Sequence, residues 1–361
     1  MRADSPAPFG RLAGLSLLLL TAACSRDAKP EGAAGGKVAT ASPGYLAYVT
    51  NEDSNELTII DTGADSVVAT VAVGTRPRGV KVTPDGKTVF VALSGSPKCP
   101  PTMPDEECEK LKVDKSKDGI AVIDAATRAV TKVIPGGSDP ETFDISANGA
   151  LLYVSNEDAG TASIVEIGPG TVRATVPTGR EPEGVTVSPD GKTVWITGET
   201  DHDLTVLDAE TGMKATSVKV GLRPRSVGFL PDGTRAYSTN EADGTLSVID
   251  VTSRKVIGTI KLPGEAKPMG IAVTRDGKTI YVSTGRAGQV VAIDAATDSV
   301  IGSVPVGRRP WGIALTPDGS KLYTANGPSN DVGVVDTKTF TVTKTIPAGG
   351  VPWGVAIGPK P

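Results

Sequence analysis

The 361-residue chain carries 43 Gly and 28 Pro without a three-residue collagen period, and 39% hydrophobic against 22% charged residues. That balance fits a globule of short strands and tight turns rather than a disordered chain. One His and three Cys, with no C-x-x-C-H, leave little material for a His-rich zinc site, covalent haem or a Ser-His-Asp triad, and no cofactor is expected. A formal net charge of −4 counts against nucleic acid as a partner, since such binders carry a basic excess.

In chain order, Arg2 and Arg11 frame the approach to an apolar run from Leu12 to Ala23, too short to span a bilayer but long enough for a signal-peptide core. Residues 1–23 therefore read as an export signal. The run ends Leu20-Thr21-Ala22-Ala23-Cys24, which resembles a bacterial lipoprotein lipobox, with Thr21 where that motif has Leu. The resemblance implies lipidation of Cys24 and attachment to the membrane through the lipid alone; ordinary cleavage after Ala23 is the alternative. Ser25 stands where an Asp would retain a lipoprotein at the inner membrane, so an outer-membrane anchor facing the periplasm is expected. Residues 24–43 are then the lipidated Cys and an Ala, Gly and Pro-rich tether. With Cys24 used as anchor, Cys99 and Cys108 remain, an even pair expected to form a disulfide in an oxidising compartment.

Residues 44–361 are organised by a repeat. Pro77, Pro140, Pro182, Pro224, Pro268, Pro310 and Pro352 recur at spacings of 63, 42, 42, 44, 42 and 42 residues; the first spacing holds an extra 21, which places an insertion at 94–119. In phase with the prolines run YVTN from Tyr48, FVAL from Phe90, YVSN from Tyr153, WITG from Trp195, YSTN from Tyr237, YVST from Tyr281 and YTAN from Tyr323. Each repeat contains four short β-prone runs, with Asp-Gly or Asn-Gly as a hairpin signal between the first two. Four antiparallel strands per repeat of this length make a propeller blade, so the fold class is all-β, a seven-bladed β-propeller of four-stranded antiparallel blades. The chain enters at a second strand, Tyr45 to Asn51, and stops after a first strand, Pro352 to Ile357. One composite blade therefore joins both termini and closes the ring.

The YVTN, PDGKTV and SVID strings resemble the YVTN-repeat, YncE-like β-propellers over residues 45–358. SDPETFDIS, EPEGVTVSPDGKTVWITGETDHDLTVLD, RPRSVGF and PWGVAIG are similar to propellers found beside PQQ-dependent alcohol dehydrogenase systems. The resemblance implies an exported, non-catalytic binding propeller in a periplasmic dehydrogenase or electron-transfer setting, although a propeller does not by itself fix a function.

In such blades the loops that enter each innermost strand share one face with the loops between second and third strands. The residues after the repeat prolines should ring the channel mouth there: Arg78, Glu141, Glu183, Arg225, Met269, Trp311 and Trp353. Just outside them stand Arg76, Asp139, Glu181, Arg223, Lys267, Arg309 and Val351. Indole faces stack planar rings and Arg forks bind carboxylates, so this half-charged, half-aromatic ring suits a small anionic ligand or a periplasmic protein partner. The plainer reading is that Arg and Glu of neighbouring blades pair with each other. The second loops add Glu52, Asp53, Glu157, Asp158, Glu199, Asp201, His202, Glu241 and Asp243, which lack any dedicated calcium-loop spacing.

An enzymatic alternative is a lactonase-like hydrolase, since related seven-bladed propellers include such enzymes; His202 would be its one candidate neutral base. DNA binding through Arg76, Arg78, Arg223, Arg225, Arg308 and Arg309, or a haem with His202 as axial ligand, is further from the composition. A monomer is expected. The opposite face repeats Asp-Gly hairpins and Asp-x-x-Thr turns in nearly every blade, the mark of scaffold.

Overall fold

The computed structural model describes residues 44–98, 103–108 and 110–361. The expected export signal, Cys24, the tether and the Cys99–Cys108 pairing all depend on residues or side chains outside that set. The described chain forms seven four-stranded antiparallel sheets; six run in sequence order from an innermost to an outermost strand, and the seventh places the last strand before the first three. The chain is a seven-bladed β-propeller. The composite blade consists of Pro352–Pro359, Tyr45–Asn51, Glu56–Asp61 and Ser66–Ala72, and its closure pairs Ala47 with Ile357 and Tyr48 with Ala356.

Strand alternation explains how the blades stack. Leu46 and Tyr48 pack with Val80, Val89 and Val91 of the next blade, whereas Ala47 and Val49 pack with Tyr323, Val332 and Val334 of the preceding one. Side chains of a strand point alternately to its two faces, so each second and third strand is apolar on both sides. Seven buried clusters result, one between each adjacent pair of blades. Each fully buried Val, Leu or Ile contributes roughly 1.5–3 kcal/mol. The outermost strands, with one covered face, alternate or stay exposed, as in Ser299–Pro305.

Turn chemistry separates the two faces. On the scaffold face, Asp208 Oδ1 accepts from the Thr211 backbone N–H and hydroxyl, both at 2.8 Å, and the pattern recurs at Asp124–Thr127, Asp294–Thr297 and Asp336–Thr339. These short Asp-to-backbone bonds cap the turns and hold the carboxyls below their ordinary value. On the mouth face, the residue before the repeat proline has left-handed backbone in six blades, with φ between 44° and 55° at Arg76, Asp139, Glu181, Arg223, Arg309 and Val351. Such backbone costs a non-glycine residue about 1 kcal/mol or more, and Val351, being β-branched, bears the most strain.

Candidate active site

That strained corner places the first set of site carboxylates. Its carbonyl accepts the backbone N–H of the residue that follows the second strand: Glu52 to Val351, Glu157 to Asp139, Glu199 to Glu181 and Glu241 to Arg223, at 2.9–3.1 Å. Four glutamates from four blades are thereby fixed at one register. A bulge places the second set. Between Pro182 and Val185 the register with the second strand shifts, and equivalent shifts follow Pro140, Pro224 and Pro310. The mouth residue lies inside each irregularity, where a bulge re-aims its side chain.

The repeat motif also fixes the mouth backbone. The hydroxyl at the third position of YVTN donates to the carbonyl of the mouth residue in the next blade: Thr50 to Arg78, Ser155 to Glu183, Thr239 to Met269 and Ser283 to Trp311, at 2.6–2.8 Å. Its Asn ties the second strand to the third, as Asn51 to Thr58 and Asn240 to Ser247. Beneath the mouth, Gly79, Gly184, Gly270, Gly312 and Gly354 line a narrow axial cavity of about 170 Å³. A Cβ on Gly312 would stand 2.7 Å from the Trp353 carbonyl oxygen, so glycine lets neighbouring innermost strands touch.

These elements frame a mouth cavity of about 390 Å³ lined by Arg76, Arg78, Glu141, Glu183, Arg223, Arg225, Arg309, Trp311 and Trp353 from the expected ring, together with Glu52, Glu157 and Glu199. Met269 is buried below it, in the floor of a smaller cavity shared with Glu183, Arg225 and both indoles. The insertion enters on this face. Pro97 and Lys98 reach the cavity, Lys98 pairing with Glu52 at 3.2 Å and Asp53 at 2.9 Å, while Lys115 pairs with Asp158. The insertion is therefore tied to the blades on either side of its own.

Two buried arginines organise the charge. Arg78 contacts Glu141 and lies 2.9 Å from Glu157 and 3.5 Å from Glu52. Arg225 contacts Glu183 and Glu199 through one nitrogen, Nη1, and lies 2.7 Å from Glu241 through Nη2. Burial opposes both guanidinium charges, yet the surrounding carboxylates outweigh it and hold both arginines firmly protonated. The opposite wall is aromatic, with Trp311 and Trp353 centroids 5.5 Å apart. Arg309 and Arg225 stand 5.0 and 5.8 Å over the Trp311 ring, within cation–π range.

Glu183 and Glu199 differ in proton affinity although they share Arg225 Nη1. Burial pushes the Glu183 carboxyl well above the ordinary carboxylate range, against the pull of Arg225 and with the help of nearby Glu157 and Glu199. Burial also works to raise Glu199, but a hydrogen bond from Glu183 and the charges of Arg225 and Arg223 outweigh it and hold Glu199 below its ordinary value. Their surroundings therefore drive the two carboxyls apart in proton affinity, Glu183 upward and Glu199 downward. Two carboxyls driven apart in this way can serve as acid and base in one reaction.

The residues 184–352 match the family model "Lactonase, 7-bladed beta-propeller", just under half of the chain. This overturns the expectation of a non-catalytic binding lipoprotein and favours the hydrolase alternative. No curated protein matches the sequence. Among solved structures, the chain is similar to Kuenenia stuttgartiensis hydrazine synthase, with 22% identity and a TM-score of 0.69 over 85% of this chain and 99% of that one. It is also similar to a Bacteroides fragilis protein provisionally described as a 6-phosphogluconolactonase, with 18% identity and a TM-score of 0.71 over 88% and 99%. At these identities the likeness is one of fold.

His202, the base the sequence offered, is directed elsewhere. Its backbone is left-handed, with φ 55°, and its Nδ1 lies 2.8 Å from the Glu199 carbonyl oxygen and 3.3 Å from the Arg223 backbone N. It lines none of the cavity. The loop acids Glu52, Glu157, Glu199 and Glu241, whose spacing suggested no calcium site, are the ones drawn in. Their signal was a Glu at the same register in four repeats, replaced by Gly285 and Gly327 in the two blades before and at the Trp wall.

Proposed function

We propose that the chain is a lactonase-like hydrolase whose acid and base are Glu183 and Glu199. The observation that carries this reading is the carboxyl pair on Arg225 Nη1, one member raised in proton affinity by burial and the other lowered by its partners, facing a cavity large enough for a small ring. Ester hydrolysis needs both roles. Glu199 takes a proton from water as its oxygen adds to the lactone carbonyl carbon, and Glu183 gives its proton to the ring oxygen as the C–O bond breaks. Arg225 keeps the two carboxyls together, and the match to the Lactonase family model supports the reaction class.

The test is the pH dependence of kcat/KM for a simple lactone. Activity should persist below the ordinary carboxylate range on the acid side, because Glu199 stays ionised there, and should fall on the alkaline side as Glu183 loses its proton above that range. A profile that rises continuously with pH, following hydroxide alone, would remove both residues from the mechanism.

Within the propellers, we read the chain as a YVTN-repeat member that works in the cell envelope. The YVTN and SVID strings support the branch, and Arg2, Arg11, the Leu12–Ala23 run and Cys24 support export with lipid attachment. Globomycin-sensitive incorporation of labelled palmitate, lost on Cys24→Ala, is the corresponding check.

A further inference from the structure

The charge and aromatic character of the mouth go further, on the basis of the hydrolytic reading, to the chemistry of the substrate. A ligand entering the cavity meets the partly exposed indoles of Trp311 and Trp353 on one side. On the other side it meets arginines already paired with carboxylates. Arg78 and Arg225 each face three glutamates, and the outer Arg76 and Arg223 pair with Glu52 and Glu199. The cavity lining contains eight acidic and six basic residues.

Arg309 is the exception among the lining cations. No ion pair engages it among the described residues; its guanidinium instead lies over the Trp311 face at 5.0 Å. Burial, followed by the charges of Arg286 and Arg225, lowers its proton affinity despite Glu241 and Glu52. A phosphate dianion would thus find one guanidinium to receive it, held on an indole, and carboxylates on the remaining sides. A flat apolar ring, by contrast, would find Trp353 at the wall and would disturb no ion pair.

We propose that the mouth accepts uncharged, aromatic or otherwise flat apolar lactones and rejects phosphorylated sugar lactones. Indole stacking supplies the attraction, and the carboxylate excess, working at short range in a site of reduced dielectric, supplies the exclusion.

The experiment has two arms. Hydrolysis of dihydrocoumarin and of 6-phospho-δ-gluconolactone is followed with the full chain, and binding of their unreactive lactams, dihydroquinolinone and the 6-phosphate of gluconolactam, is followed by calorimetry. The expected result is a kcat/KM for dihydrocoumarin at least about tenfold higher, with dihydroquinolinone binding that weakens about tenfold in Trp353→Ala. Equal or better turnover of the phosphorylated lactone overturns the substrate class and leaves hydrolysis standing. Binding of dihydroquinolinone without turnover of either lactone keeps the ligand class and overturns the hydrolytic reading. Tighter binding of the phosphorylated lactam, or no binding of the aromatic one, overturns the class.

Discussion

Replacing Arg225 by Met tests whether the mouth is held together by its buried charge. The Arg225 side chain is 9% exposed and serves Glu183, Glu199 and Glu241, the last at 2.7 Å. With charge centres about 4 Å apart and an effective dielectric of about 20, one such pair is worth about 4 kcal/mol of attraction. Desolvating the ions costs several kcal/mol of that gain, so three pairs do not add; removal of one partner from a buried network typically costs about 3–5 kcal/mol. We expect a loss in that range for Arg225→Met at pH 7, read by urea unfolding. The loss should shrink with acid. Without Arg225 the remaining ionised carboxylates bind protons more tightly folded than unfolded, so the variant's stability falls as pH rises through those raised values and returns below the ordinary carboxylate range. Wild-type Glu199, held below its ordinary value, runs in the opposite direction: its contribution is present above the ordinary value and lost in acid. The two unfolding curves should therefore converge between pH 7 and about pH 4. A cost under about 1 kcal/mol that is independent of pH would show that the carboxylates are solvated like surface ion pairs and would refute the reasoning.

Gly312→Ala should destabilise by about 1–3 kcal/mol and lower Tm, because the added Cβ would meet the Trp353 carbonyl oxygen and Gly354 Cα at 2.7 and 2.9 Å, both backbone atoms. Ser155→Ala should cost about 1–3 kcal/mol in chemical unfolding by removing the acceptor of the Thr142 backbone N–H and one of the two hydroxyls on the Glu183 carbonyl; it should also shift the alkaline limb of the pH–rate profile. Lys98→Ala should change stability by less than about 1 kcal/mol, since Lys98 is 40% exposed, its partner Asp53 is 51% exposed, and its buried partner Glu52 keeps Arg76 and Arg78; its unfolding midpoint should approach that of the wild type as salt is raised.

The repeat made the fold legible, because its period set blade length and its phase set the composite closure; a shift of one residue would turn Tyr48 and Val49 to the wrong neighbouring blades. The placement of the residues after the prolines was legible for the same reason, and of the seven only Met269 does not line the mouth cavity. What the ring does was harder to read. Arg78 meets Glu157, 79 residues on, and Arg225 meets Glu183, 42 residues back, so whether an arginine at the mouth is free or saturated depends on partners from other blades. His202 misled for a related reason: composition marked it as the one imidazole, but its Nδ1 meets backbone and it does not line the mouth cavity. The short helix Asp105–Cys108 and the 3₁₀ turn Lys115–Lys117 within the insertion lie outside the repeat, where no period was available to predict them.

Hydrolysis at this mouth requires Glu183 and Glu199 to act as one unit, and pH-stat hydrolysis of dihydrocoumarin by Glu183→Gln, Glu199→Gln and the double variant measures that most directly. Each single variant should lose at least about 100-fold in kcat/KM, and the double variant should lose little more than the worse single, as residues of one acid–base pair do. Wild-type turnover in either single variant, with folding intact by circular dichroism, would contradict it.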